Sequence, residues 1–283
     1  MNSLDMNAIG EDTAKGDPEA PAGLLPLAIS SAGKNLYGII YLAEGQGPHP
    51  TAMFLHGFPG NDRMLDIGQS LRRAGLNSVF FAYRGAWGSE GDFSYANCID
   101  DAEAVVEFLR DPPIAAKYRI DPAGIIVVGH SMGGFVAFSL ARRRPELKRV
   151  MFLSGWNLGQ YGQRLAAGDA EYKERVLAAL GVSAVPLKGT SAVKLRDEIL
   201  SLKDSHDLLK YVPELGGRKI FMIGAGRDVP VPMEYDHIPL YKALKKAYPD
   251  DVEEFVVDDD HFYSSTRIAV TRAVLAWLKR QGF

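Results

Sequence analysis

A chain of 283 residues with 47% hydrophobic content can bury a large core, and α/β folds of this length commonly form one domain. A formal net charge of -3 and a pI near 6.1 leave no electrostatic footprint for nucleic acid, and no stretch approaches the roughly 18 apolar residues of a membrane span. Cys98 is the only cysteine, which excludes an intramolecular disulfide and a multi-cysteine metal centre; no cofactor and no metal is expected.

Residues 1–22 carry acids, Gly and Pro without the apolar run of a signal peptide and are expected to form a mobile tail. A signal removed before Met1 would leave no trace, so a cytoplasmic setting is only the default expectation. Leu24 to Ser31 and Leu36 to Ala43 read as antiparallel strands joined at Gly33-Lys34-Asn35. Thr51 to Leu55 is the next strand, running into His56-Gly57-Phe58-Pro59-Gly60 and a helix that ends near Gly75, with Asn61 or Asp62 as its cap. Ser78 to Tyr83 is again a strand. Ile99, Ala102, Val105, Val106 and Leu109 lie on one side of an amphipathic helix stopped by Pro112-Pro113. Gly124 to Val128 and Val150 to Ser154 continue the sheet, with a helix between them whose last turn, Arg142-Arg143-Arg144, complements the helix dipole before Pro145.

From about Trp156 to Val212 the alternation of strand and helix breaks down, and the charged, helix-forming stretches Tyr172 to Leu180 and Val193 to Leu202 look inserted between two core strands. Lys219 to Ile223 and Val252 to Val257 resume the sheet, and a last helix runs from about Ser264 to Lys279. The fold class is therefore α/β, a mostly parallel sheet with helices on both faces, divided into a core of residues 23–155 and 213–283 and an insertion of residues 156–212.

The chemistry concentrates in Gly129-His130-Ser131-Met132-Gly133, a G-x-S-x-G motif placed between the apolar run Gly124 to Val128 and an apolar helix. A serine on so sharp a strand-to-helix turn needs small neighbours, and the helix that follows points unpaired N–H groups back at the turn. Ser131 is the candidate nucleophile and the Met132 N–H the first candidate donor to an oxyanion. The loop after Leu55 supplies the second, the Phe58 N–H. His56 is read as a packed, hydrogen-bonded residue with no proton-transfer role.

Serine needs a base, and the base a partner that fixes its tautomer. Asp228 follows the strand Lys219 to Ile223, and His261 follows the strand Val252 to Val257. In parallel sheets functional groups collect at such carboxyl ends. Of the others, His49 lies in a Pro-flanked loop, His130 is inside the motif, and His206 and His237 have no matching strand before them. Asp258, Asp259 and Asp260 compete with Asp228 for the role of acid; as a charge run they read as a solvated loop, and a separate carboxylate suits His Nδ1 better.

The chain resembles the serine-esterase branch of the α/β-hydrolase superfamily through His56 to Gly60, Gly129 to Gly134, Gly226-Arg227-Asp228 and Asp260-His261. Tyr83 to Ser94 is similar to the loop after the fourth strand in cinnamoyl (feruloyl) esterase-like and prolyl-oligopeptidase-like enzymes. The resemblance implies a sheet of about eight strands, the triad order Ser131, Asp228, His261 and an insertion that serves as a cap over the site. It implies hydrolysis of a small to medium carboxylic ester; amide hydrolysis or acyl transfer would use the same triad, and a non-catalytic binding protein is the reading from a different class. Trp87, Trp156 and Tyr161 are candidates for the substrate pocket, and aromatic residues at such places serve packing about as often. The insertion has no long apolar face, which favours a soluble ester over an oil surface.

Overall fold

Strand β5 (Ile120–His130) carries the apolar run Ile125-Ile126-Val127-Val128 because it lies between two parallel neighbours and is covered on both faces. The computed structural model describes residues 4–12 and 16–283. Around β5 the chain lays down β1 (Gly23–Ser31), β2 (Lys34–Leu42), β3 (His49–Leu55), β4 (Asn77–Phe81), β6 (Arg149–Leu153), β7 (Lys219–Ala225) and β8 (Val252–Val257). They form one sheet in the order β1-β2-β4-β3-β5-β6-β7-β8, antiparallel where β2 meets β1 and β4, parallel from β4 to β8.

The helices are α1 (Leu65–Arg73), α2 (Tyr95–Arg110), α3 (Pro112–Lys117), α4 (Met132–Arg143), α5 (Leu158–Ala167), α6 (Ala170–Ser183), α7 (Ala192–Leu202), α8 (Ile238–Ala247) and α9 (Arg267–Arg280). Successive side chains of β5 alternate between two cores. Val127 packs with α2 and α4, while Ile126 and Val128 pack with α1 and α9. The prolines expected to stop α2 do so, and they also occupy the first positions of α3, where a missing N–H costs nothing.

Within the segment expected to be a tail, Leu4 and Ala8 are buried against the α1 and α9 face, and Arg73 donates to the carbonyls of Ala8 and Ile9 at 2.6 and 3.3 Å. The remainder of the expected tail, residues 1–3 and 13–15, lies outside the described residues. Asp62 does not cap α1 itself; its Oδ1 accepts the Met64 N–H at 2.8 Å and so fixes the turn that precedes the helix.

Between β6 and β7 lie α5, α6, α7 and a short 3-10 turn, Leu208–Glu214. The two ends of this segment are clasped together. Asn157 Nδ2 donates to Asp207 Oδ1 at 2.9 Å, the Leu208 N–H returns a bond to Asn157 Oδ1, and the Gly159 N–H reaches the His206 carbonyl. On one side the segment docks on the loop after β4, where Leu187 bridges Ala86 and Lys188 exchanges backbone hydrogen bonds with Gly85 and Phe93. On the other it docks on the loop after β7, where Asp236 accepts from the Asn157 N–H at 2.9 Å and from Arg164 Nη2 at 3.3 Å. In the sheet order β3, β5 and β6 lie between those two anchors.

Candidate active site

Ser131 sits between β5 and α4 with φ 56° and ψ -123°, a strained conformation held by its surroundings. Its N–H donates to the Leu153 carbonyl, and its own carbonyl accepts from Gly134 and Trp156. The motif glycines are steric necessities here. A Cβ at Gly133 would overlap the Leu55 carbonyl, and one at Gly129 the Gly133 carbonyl; one at Gly57 would come within 2.8 Å of Ser131 Cβ and 3.2 Å of its Oγ. The Phe58 and Met132 N–H groups, the two candidate oxyanion donors, have no hydrogen-bond partner among the described residues.

His261 Nδ1 bonds Asp228 Oδ2 at 2.7 Å, and the other carboxylate oxygen accepts the Val231 N–H at 2.8 Å. Both side chains are almost fully buried. The carboxylate therefore dictates the Nδ1–H tautomer and leaves Nε2 as the ring nitrogen able to take a proton. Ser131 Oγ makes no hydrogen bond among the described residues. The expected acid is the one that the geometry pairs with the expected base.

The neighbouring aspartates do other things, and the solvated-loop reading is corrected for one of them, Asp259. Asp259 is buried, its Oδ2 accepting from the Ser265 N–H and the Thr266 hydroxyl, while Asp260 Oδ1 accepts from Phe262 and Ser264 N–H groups. Asp260 is half-exposed, and Asp258 stands in solvent. His56 is buried with Nδ1 donating to the Gly57 carbonyl, and burial pushes its pKa down to about 3, so it stays neutral, as its packed role requires.

The proposed pocket residues divide. Trp156 and Tyr161 pack edge to face at 5.3 Å, and through Tyr95 the cluster extends to Phe93 and Phe58 on the loop that carries the second donor. Burial raises the Tyr161 phenol to about 12, so it remains protonated. Trp87 is not among them: its indole N–H donates to the Pro59 carbonyl at 2.6 Å, and the Arg63 guanidinium lies over its ring. Asn157, Asp207 and Asp236, which clasp and anchor the insertion, were not legible in the sequence. They are scattered single polar residues with no motif, and only the fold shows that they are buried together. Burial holds Asp236 up at about 6 despite the Arg164 cation beside it.

The model for the alpha/beta hydrolase family matches residues 52–280. The chain belongs to that family. An uncharacterized protein of Mycobacterium tuberculosis is 29% identical over 143 residues, covering 50% of this chain and 49% of the relative, so the chain spans about half the length of that curated relative. A lysophosphatidylserine lipase of Danio rerio is 34% identical over 106 residues, 36% of this chain and 26% of the lipase. Among solved structures, Est1E from Butyrivibrio proteoclasticus with ferulic acid bound superposes with a TM-score of 0.70 at 18% identity, over 90% of this chain and 98% of that one. The esterase Pf2001 of Pyrococcus furiosus gives 0.65 at 20%, over 92% and 91%. At such identities these likenesses speak for the fold alone.

Among the described residues no group of three or more His, Cys, Asp and Glu side chains is arranged to hold a metal ion, and no helix is long and apolar enough to cross a membrane.

Proposed function

We propose that the protein is a serine hydrolase that cleaves carboxylic esters of small to medium size. The observation that carries this reading is the Asp228–His261 hydrogen bond at the carboxyl ends of β7 and β8, in a fold that places Ser131 on a strained turn beside two unpartnered amides.

Ser131 Oγ attacks the ester carbonyl as His261 Nε2 takes its proton, and Asp228 stabilises the imidazolium. The tetrahedral oxyanion is held by the Phe58 and Met132 N–H groups. Collapse expels the alcohol, which receives the proton from His261. Water, deprotonated by the same imidazole, then attacks the acyl-enzyme and releases the acid. The insertion is the cap of this site: it is anchored on loops to either side of β5, so it spans the carboxyl edge above Ser131. Trp156 and Tyr161 give the acyl or alcohol group an apolar wall, and Trp87 flanks the donor loop from outside.

Intact-mass analysis after treatment with a fluorophosphonate, with peptide mapping, tests the reading. A single adduct on Ser131 together with turnover of p-nitrophenyl or hydroxycinnamoyl esters is expected. Absence of both on folded protein would overturn it, and faster turnover of matched amides would move the activity to peptide-like bonds.

A further inference from the structure

The Asp228 bond fixes the ring of His261 by its side chain, but the place of that ring relative to Ser131 also depends on where the backbone of residues 261–262 stands. Two consecutive carbonyls there accept from side chains on other parts of the fold. His130 Nε2 donates to the His261 carbonyl at 3.0 Å, and Arg267 Nη2 donates to the Phe262 carbonyl at 2.8 Å. His130 is the residue directly before the candidate nucleophile. Arg267, the first residue of α9, also bonds Asp62 Oδ2 at 2.5 Å and Asp66 Oδ1 at 3.1 Å, so one guanidinium joins the base loop to the end of the loop that carries Phe58.

We propose that His130 and Arg267 are positioning residues, a two-point bracket that holds the backbone of the general-base loop in register with the nucleophile and the oxyanion donors. The proposal rests on the reading of Ser131 and His261 as nucleophile and base. Simple packing would not select a histidine at position 130: the ring is buried, its Nδ1 has no partner, and an apolar ring there would leave no orphaned polar atom. What a phenylalanine cannot supply is the N–H aimed at the carbonyl of the base. The bracket also links all three parts of the machinery. The nucleophile turn reaches the base loop through His130, and the donor loop reaches it through Asp62 and Arg267.

The consequence is kinetic. A displacement of the base by a fraction of an ångström to an ångström costs up to about 100-fold in rate while leaving substrate contacts in place. His130→Phe, which keeps the ring and removes the donor, is expected to lower kcat by about 10- to 100-fold with KM within about twofold. His130→Gln, whose amide nitrogen reaches the place of Nε2, is expected to restore most of that loss. Arg267→Met is expected to lower kcat by about 3- to 10-fold, and the Arg267 side chain is partly exposed, so that variant folds even where a core substitution at 130 does not. In the double variant the two losses are expected to be non-additive, since both act on one loop.

Wild-type kcat in both His130→Phe and Arg267→Met would overturn the proposal. So would equal losses in His130→Phe and His130→Gln, which would make position 130 a packing site. Failure of the underlying reading shows separately, as wild-type enzyme that takes no fluorophosphonate label on Ser131.

Discussion

The two ends of the parallel sheet differ in a way that separates space from chemistry. At the amino end lies a cavity of about 1020 Å³, lined by Glu44, His49, Arg72, Asp121, Arg149 and Phe283 among others. At the carboxyl end Ser131, Asp228 and His261 are each less than a tenth exposed, and none of them lines that cavity. Volume records where packing is loose. Function needs groups whose charges and lone pairs are complementary, and in a parallel sheet those arrive where strands end and helices begin, with their unpaired N–H groups. The candidate catalytic groups therefore gather at the carboxyl end, away from that cavity.

The largest effect that would test this contrast is at the nucleophile. Ser131→Ala is expected to lower kcat about 10⁴-fold or more with an unchanged melting temperature, whereas Arg72→Ala in the large cavity should change kcat/KM less than about twofold. Reversal of that pattern in a steady-state ester assay would move the site to the amino end. Next, Asp228→Asn is expected to cost about 10³- to 10⁴-fold through the wrong histidine tautomer. Asp258→Asn should be near neutral, and comparable damage from it would reassign the acid.

Gly57→Ala brings a methyl group to within 2.8 Å of Ser131 Cβ and is expected to lower kcat about 10- to 100-fold, read with the same assay.

The last effect concerns stability. His56 and His130 are both pushed down to about 3 by burial, while in the unfolded chain each titrates near 6.5. Between those values the unfolded state binds more protons, so stability should fall as pH drops from about 6.5, by up to about 1.4 kcal/mol per pH unit for each histidine. Urea unfolding between pH 7 and 4 measures the slope. His56→Phe should remove about one proton from it, and a flat profile would show that these rings are not held neutral.

Where the sequence was explicit, periodicity and local motif carried the same information. Val252–Val257 has the bounds read from its pattern, and Lys219–Ala225 extends two residues beyond. The elbow was readable because its constraint is local: Gly129 and Gly133 stand where backbone carbonyls leave no room. Helix α5 was not read because Gly159 and Gly162 weaken its helical pattern. Both are demanded by packing, since a Cβ at Gly159 would strike the Asp207 backbone and one at Gly162 would come within 2.7 Å of Lys203 Cβ. Propensity yields there to close approach, which no single segment reveals. Asp259 shows the same limit from the other side: three consecutive acids look solvent-bound until the loop turns one of them inward to accept from Ser265 and Thr266.

The clasp between Asn157 and Asp207 has a consequence for how this protein varies. Because residues 157 and 207 already meet, the sheet experiences everything between them as a loop of fixed span, and adding or removing residues changes closure entropy only with the logarithm of length. The segment is thus an exchangeable cassette. On the proposed reading of this segment as a cap, exchanging it by grafting should change substrate preference while the strands that carry Ser131, Asp228 and His261 keep their register.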